Sequence, residues 1–220
     1  MIKIAVFDLD GTLVDSLTDL AQNVNKGLAK AGLEEKPIEN FKKYVGNGRE
    51  VMVKRAMGSF ADNEELFRIV NDTFNSEYSV HCNDNTRSYD GCEELLEKLL
   101  QKGIKTAVLS NKPDEFVGEI LNKVYPNHTF TEAWGKKPEY TPKPDKQALL
   151  AMLKIHGISP DECIYIGDSD VDVYTAQNAG VKMAGVEWGF RGKEELMSVG
   201  AKFVAENTDE LFDYICGCNE

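Results

Sequence analysis

Ile2-Lys3-Ile4-Ala5-Val6-Phe7-Asp8-Leu9-Asp10-Gly11-Thr12 is the stretch on which the fold turns. Residues 2–7 alternate and then run apolar, which is the pattern of a buried strand. The chain then breaks into carboxylates and glycine. In extended backbone, side chains two apart share a face, so Asp8 and Asp10 point the same way. Gly11 permits a sharp turn where a side chain would clash.

Working outward, other segments repeat this design. Lys105-Thr106-Ala107-Val108-Leu109 leads into Ser110-Asn111-Lys112, and Cys163-Ile164-Tyr165-Ile166 leads into Gly167-Asp168-Ser169. Residues 181–186 follow an Ala-rich helix, and a shorter strand is expected over 131–135. Helical patterns lie between. Glu93 to Lys102 carries Leu95, Leu96, Leu99 and Leu100 and stops at Gly103. Asp145 to His156 carries Ala148, Leu149, Met152 and Leu153 and stops at Gly157. Strands alternating with helices imply an α/β fold, a parallel sheet sandwiched by helices. Such sheets bind ligands at the C-terminal ends of their strands.

Residues 15–85 break the rhythm with no convincing strand. Ser16 and Asp19 resemble a capping box. Leu17, Leu20, Ala21, Val24, Leu28 and Ala31 share one helical face that ends at Gly32. A second helix is expected from Pro37 to near Gly46, and others over Glu50 to Met57 and Glu64 to His81. The expected organisation is a core of residues 1–14 and 86–220 with an inserted α-helical domain, 15–85.

The chain has 220 residues, 42% hydrophobic, with a formal net charge of -12. It is long enough for a sizeable core. Its charge disfavours nucleic acid and anionic membranes, so any anionic ligand needs a locally positive site or a metal. Asp8 and Asp10 interrupt the first apolar run too soon for a secretion signal. Cys82, Cys92, Cys163, Cys216 and Cys218 form no CxxC pair and read as reduced thiols, which makes the expected location cytoplasmic. His81 with Cys82, and Cys216 with Cys218, lack the further partners a zinc site needs.

The polar strand ends carry the chemistry. An ionised Asp8 can attack phosphorus. Asp10 can protonate a leaving oxygen if burial and its neighbour raise its pKa. A second acidic cluster, Gly167-Asp168-Ser169-Asp170-Val171-Asp172, would repel the first unless a hard cation lay between them, and Mg²⁺ suits oxygen ligands plus a phosphate. Ser110 and Asn111, with the start of the next helix, would hold phosphate oxygens. Lys143, before Pro144, is the favoured fixed cation, with Lys136 and Lys137 as competitors. Each cluster alone also reads as an acidic turn, a solvated loop or a cap.

The ordered set Asp8-x-Asp10-Gly11-Thr12, Ser110-Asn111, Lys143-Pro144 and Gly167-Asp168-Ser169-x-x-Asp172 resembles the haloacid dehalogenase superfamily over nearly the whole chain, and within it the phosphoglycolate phosphatase-like branch. The resemblance implies a Rossmann-like core with a helical cap after the first strand. Asp8 would be nucleophile and Mg²⁺ ligand. Asp10 would be general acid and then base, its carbonyl also on the metal. Asp168 would complete the ligands. Ser110, Asn111 and Lys143 would bind phosphate, with Thr12, Ser169 and Asp172 behind them, and Asp172 would orient Lys143 or a metal-bound water. Gly46-Asn47-Gly48, followed by Arg49, resembles the cap's specificity loop; a plain helix–helix turn explains it equally well.

The expected function is Mg²⁺-dependent hydrolysis of a small phosphomonoester through an aspartyl-phosphate, by a monomer or homodimer acting on a phosphorylated metabolite. A true dehalogenase needs no acid like Asp10. A sugar phosphomutase, for which Arg49 is a cue, and an inorganic pyrophosphatase are the enzyme alternatives. A phosphonate-cleaving relative would need a cap lysine such as Lys54. A silent phosphate-binding or interaction protein would have no use for both carboxylates.

Overall fold

The computed structural model of the protein describes residues 1–218. The expected core segment runs to residue 220, and its last two residues lie outside the described residues. In chain order the elements begin with β1 (Ile4–Phe7), β2 (Val14–Asp15), α1 (Leu17–Lys30), α2 (Phe41–Tyr44), α3 (Arg49–Met57), α4 (Glu64–His81) and β3 (Arg87–Ser88). Then come α5 (Cys92–Gln101), β4 (Lys105–Pro113), α6 (Asp114–Val124), β5 (Glu132–Lys136), α7 (Gln147–Ile155) and β6 (Cys163–Gly167). The chain closes with α8 (Asp170–Ala179), β7 (Lys182–Val186), α9 (Lys193–Ser198), β8 (Val204–Ala205) and α10 (Thr208–Gly217). Two compact units result: Met1–Val14 with the chain from Ser88 onward, and Asp15–Arg87.

The first unit is built on a parallel sheet of order β5-β4-β1-β6-β7-β8. Ile4 of β1 lies opposite Lys105 on one side and Cys163 on the other. After β5 the chain returns across β1 to begin β6, so the winding reverses there. The C-terminal end of β1 is therefore a topological switch point, where open α/β sheets form their crevice.

Both faces of the sheet are covered, which is why the strands read as continuous apolar runs. Ala5, Phe7, Val108, Ile164 and Ile166 pack with Leu96 of α5, Ile120 of α6 and Ile215 of α10. Ile4, Val6, Ala107, Leu109 and Tyr165 pack with Leu149 and Met152 of α7 and Ala176 of α8. Each large aliphatic or Phe side chain buried in this way stabilises the fold by about 1.5–3 kcal/mol. The expected strands are all present. β4 runs further than the apolar pattern, through Ser110-Asn111-Lys112 to Pro113, with a register shift after Leu109. The short edge strand β8 is too brief to show a period.

The second unit is helical. Leu17, Leu20, Ala21, Val24 and Leu28 of α1 are buried, as are Val70, Phe74 and Tyr78 of α4. The two helices meet at Gly27, where a Cβ would lie 2.6 Å from the Val70 carbonyl oxygen. Two local expectations are corrected. Ser16 makes no side-chain cap bond to α1. Asp19 instead turns to a distant segment, accepting bonds from the Asn85 backbone and amide and from the Thr86 N–H and hydroxyl. Four donors on one carboxylate outcompete a capping box. The helix expected from Pro37 to Gly46 is a 3-10 turn, Ile38–Asn40, followed by the single-turn α2. Only Phe41 and Val45 are buried between Pro37 and Gly46, too little to sustain a longer helix. Among the described residues no helix is long and apolar enough to cross a membrane.

Candidate active site

β1 ends at Phe7 and delivers Asp8, whose residue is 8% exposed. The next residues close on themselves: Leu13 and Val14 both donate N–H bonds to the Leu9 carbonyl, at 3.0 Å each. Gly11, at φ 84°, makes this reversal, and a Cβ there would strike the Asp168 carboxylate. Only glycine satisfies both demands.

Lys143 is the central cation. Its Nζ lies 2.9 Å from Asp8 Oδ1 and 2.8 Å from Asp172 Oδ1, and donates to the Tyr165 hydroxyl at 2.9 Å. Its side chain is 2% exposed. Its competitors are elsewhere. Lys136 is exposed at the end of β5, and Lys137 sits over the Trp134 ring, 4.3 Å from its centroid.

Asn111 holds Lys143 by its backbone. The Asn111 Oδ1 accepts from the Lys143 N–H at 2.9 Å and its Nδ2 donates to the Lys143 carbonyl at 3.0 Å. This clamp positions Lys143, a contact that the expected phosphate role of Asn111 did not include. Ser110, 4% exposed, accepts from the Lys112 N–H at 3.2 Å, a bond that leaves its hydroxyl proton unused. The next helix begins only at Asp114, beyond Lys112 and Pro113, because β4 continues past Asn111.

β6 delivers Asp168, which accepts from Thr12 Oγ1 at 3.0 Å and from the Phe190 N–H at 2.8 Å. Asp172 sits in the first turn of α8, and its Oδ2 accepts from Ser169 Oγ at 2.6 Å and Ser169 N–H at 3.1 Å. Thr12 thus bonds to Asp168, Ser169 to Asp172, and Asp172 to Lys143.

Burial shapes the electrostatics. It pushes the Asp8 carboxyl up to about 7, with Lys143 pulling down and Asp172 and Asp10 pushing further up. Asp168 is raised well above the carboxylate range by burial and then by Asp172 and Asp8, against the Phe190 and Thr12 hydrogen bonds. Burial works against the Lys143 charge, but Asp172 and Asp8 hold it well above the usual lysine range. Counting Asp10 and Lys112, four carboxylates face two ammonium groups, a formal excess of two negative charges.

This donor set fits a hard divalent cation. Asp8, Asp168 and Asp172 each offer an oxygen within 4.8 Å of the others. Asp172 is paired with the Lys143 ammonium through Oδ1, whereas Asp168 meets only neutral donors, Thr12 and the Phe190 N–H, so Asp168 with Asp8 makes the better ligand pair. Asp170 is not in the cluster.

Three participants were not read from the sequence. Lys112 lies 3.1 Å from Asp10 Oδ1 with a side chain 3% exposed. Tyr165, fully buried in β6, places its hydroxyl on Lys143 and donates to the Leu109 carbonyl at 3.1 Å. The loop after β7 supplies the Phe190 N–H and Trp188, whose Nε1 donates to the Thr12 carbonyl at 3.1 Å. Trp188-Gly189-Phe190 directly after a strand was the available signal. Gly189 packs so closely on Asp168 and Gly11 that a Cβ would collide with both.

Gly46, Asn47, Gly48 and Arg49 belong to the helical unit, between α2 and the start of α3, with Gly46 at φ 116° and Gly48 at φ 86°. Lys54, also there, lies over the Phe67 ring. His81 pairs with Asp84, and Cys82 is buried.

The chain is similar to known proteins over nearly its whole length. A family model described as haloacid dehalogenase-like hydrolase matches residues 5–186. A phosphoglycolate phosphatase of Psychrobacter arcticus is 32% identical, the match covering 97% of this chain and 95% of that protein. A phosphoglycolate phosphatase of Pseudomonas putida is 30% identical over 98% of this chain and 79% of its own length. A solved structure from Lactobacillus delbrueckii subsp. bulgaricus superposes with a TM-score of 0.90 at 32% identity, covering 97% of this chain and 98% of that one.

Proposed function

The chain belongs to the haloacid dehalogenase-like hydrolases, and from that premise we propose that it is a Mg²⁺-dependent phosphatase that hydrolyses a small phosphomonoester through an aspartyl-phosphate on Asp8. The phosphoglycolate phosphatase relatives support the phosphatase reading. The observation that carries the mechanism is the pairing of Lys143 with Asp8 beside a second carboxylate, Asp10, on the same strand end.

An Asp8 oxygen attacks phosphorus as the bond to the leaving oxygen breaks, and Asp10 gives its proton to that oxygen. Asp10, now a carboxylate, takes a proton from water. The water oxygen attacks the phosphorus of the aspartyl-phosphate, releasing inorganic phosphate and restoring Asp8. Lys143, steadied by Asp172, Tyr165 and Asn111, supplies a fixed cation for the transferring group. The Ser110 hydroxyl donates to a phosphoryl oxygen. Asp8, Asp168 and the Asp10 carbonyl would hold Mg²⁺, which would supply charge neutralisation at the phosphoryl group. The enzyme is cytoplasmic, a monomer or homodimer, and acts on a phosphorylated metabolite.

The test is a panel of phosphomonoesters, pyrophosphate and β-glucose 1-phosphate with Mg²⁺, scoring phosphate release against isomerised product. Phosphate release from monoesters is expected. Isomerised product alone, pyrophosphate-only turnover or no turnover would each replace the proposal with a mutase, a pyrophosphatase or a silent binder.

A further inference from the structure

Tyr125 has no part in the proposed mechanism, yet its hydroxyl is tied to the loop that carries Asp10. It directly follows α6, is buried, and meets the Phe130 ring edge-on, 6.0 Å between centroids. A phenylalanine would fill that apolar site equally well, whereas a buried phenol needs a partner for its hydroxyl. The hydroxyl donates to the Leu13 carbonyl at 2.6 Å, 112 residues away in sequence, and lies 2.9 Å from Ser88 Oγ. Four donors from outside the loop hold two of its consecutive carbonyls. Leu13 accepts from the Tyr125 hydroxyl and from the Tyr89 N–H at 3.2 Å. Thr12 accepts from Trp188 Nε1 at 3.1 Å and from Cys92 Sγ at 3.9 Å. Thr12 has a further anchor, its own hydroxyl on Asp168. Inside the loop the Gly11 N–H donates to the Val14 carbonyl at 2.9 Å, and Asp10 forms an isolated bridge with Val14. A shift of Leu13 therefore moves Val14 and, through it, Asp10.

We infer that Tyr125 is a positioning residue for Asp10: its hydrogen bond to the Leu13 carbonyl holds the Asp10 carboxyl where it meets the leaving oxygen. This rests on the phosphatase reading. Proton transfer needs the donor within hydrogen-bond reach of the acceptor, so a small displacement of the loop falls on the acid step. Asp8 is held separately, by Lys143 and the Leu9 N–H, and neither bond runs through Leu13. Loss of the phenol oxygen therefore weakens protonation of the leaving group more than attack on phosphorus. A hydroxyl that only satisfied a buried carbonyl would make no such distinction.

The experiment compares two accepted esters of similar size and unequal leaving groups, with benzyl phosphate and 4-nitrophenyl phosphate as the first pair. The benzyl alkoxide is strongly basic and needs a proton to leave; 4-nitrophenolate leaves as the anion. With Mg²⁺, kcat/KM reports the transfer from the ester to Asp8. Asp10→Asn sets the scale, losing far more on the benzyl ester than on the nitrophenyl ester. Tyr125→Phe, which keeps the ring and leaves Leu13 its bond from the Tyr89 N–H, loses about tenfold on the benzyl ester and no more than about twofold on the other. The loss lies in kcat, with KM held. If Tyr125→Phe does not fold, Tyr125→Met, which also lacks the hydroxyl, carries the same comparison. An equal loss on both esters, or no loss on either, overturns the inference while leaving the phosphatase intact. Wild-type turnover of no phosphomonoester overturns the phosphatase reading itself.

Discussion

Lys143 and Asp8 form a buried ion pair of 2.9 Å across the crevice, although 135 residues separate them in sequence by the difference of their numbers. The pair joins the end of β1 to the segment before α7 and fixes one Asp8 oxygen. Oδ1 takes both the Lys143 bond and the Leu9 N–H at 2.7 Å. Oδ2 carries neither bond.

Asp8→Asn keeps the shape and removes the nucleophile. Phosphate release is expected to fall by more than about 10⁴-fold. Without Mg²⁺ the unfolding midpoint should hold or rise, because one of three crowded carboxylates is gone. Residual activity within tenfold of wild type would sink the assignment, and circular dichroism checks the fold.

Lys143→Met leaves Asp8 and Asp172 buried without their shared cation. Breaking such a pair by removing one partner costs roughly 3–5 kcal/mol. Urea unfolding should show that loss, and activity should vanish with it. A variant as stable as wild type would mean that the pair contributes nothing to the fold.

Chelation with EDTA should stop catalysis, and Mg²⁺ should restore it. Thermal unfolding offers a readout independent of turnover. An ion at a hundred times its Kd stabilises by about 2.7 kcal/mol. Asp168→Asn should lose this Mg²⁺-induced shift, whereas Asp170→Ala should keep it, since Asp170 is outside the carboxylate cluster. Equal behaviour of the two variants would argue against Asp168 as a ligand.

Asp19→Ala strips the partners from Asn85 and Thr86 in the helical unit. With bonds to a buried carboxylate worth about 1.5–3 kcal/mol each and partly shared, a loss of about 3 kcal/mol is expected in chemical denaturation. Asp19→Asn, which keeps one acceptor, should lose less. No difference between Ala and wild type would show that the carboxylate is dispensable.

The alternation of strands and helices was legible because both faces of the sheet are apolar and helices end in glycine. Asp8 and Asp168 were legible as carboxylates at strand ends, Asp172 as part of the second acidic cluster, and Lys143 as a cation ahead of a helix. Lys112 and Tyr165 were not. One reads as part of a turn and the other as an ordinary strand aromatic, and their roles arise only once β4 and β6 flank β1. The clamp of Asn111 on Lys143 was not legible for the same reason, since its partner lies in a distant segment. Asp19 obeyed residues 85 and 86 rather than its own helix, a competition that local pattern does not record.

The central position of β1 has a bearing on biosynthesis. β1 is made before both of its neighbours, Lys105–Pro113 and Cys163–Gly167. At typical synthesis rates, residues 4–7 wait on the order of ten seconds before a second flank exists. Meanwhile the contiguous helical segment 15–87 is complete and free to condense. β1 is thus an adhesive segment exposed before either flank exists, and Asp8 and Asp10 at its end act as charged gatekeepers against premature association.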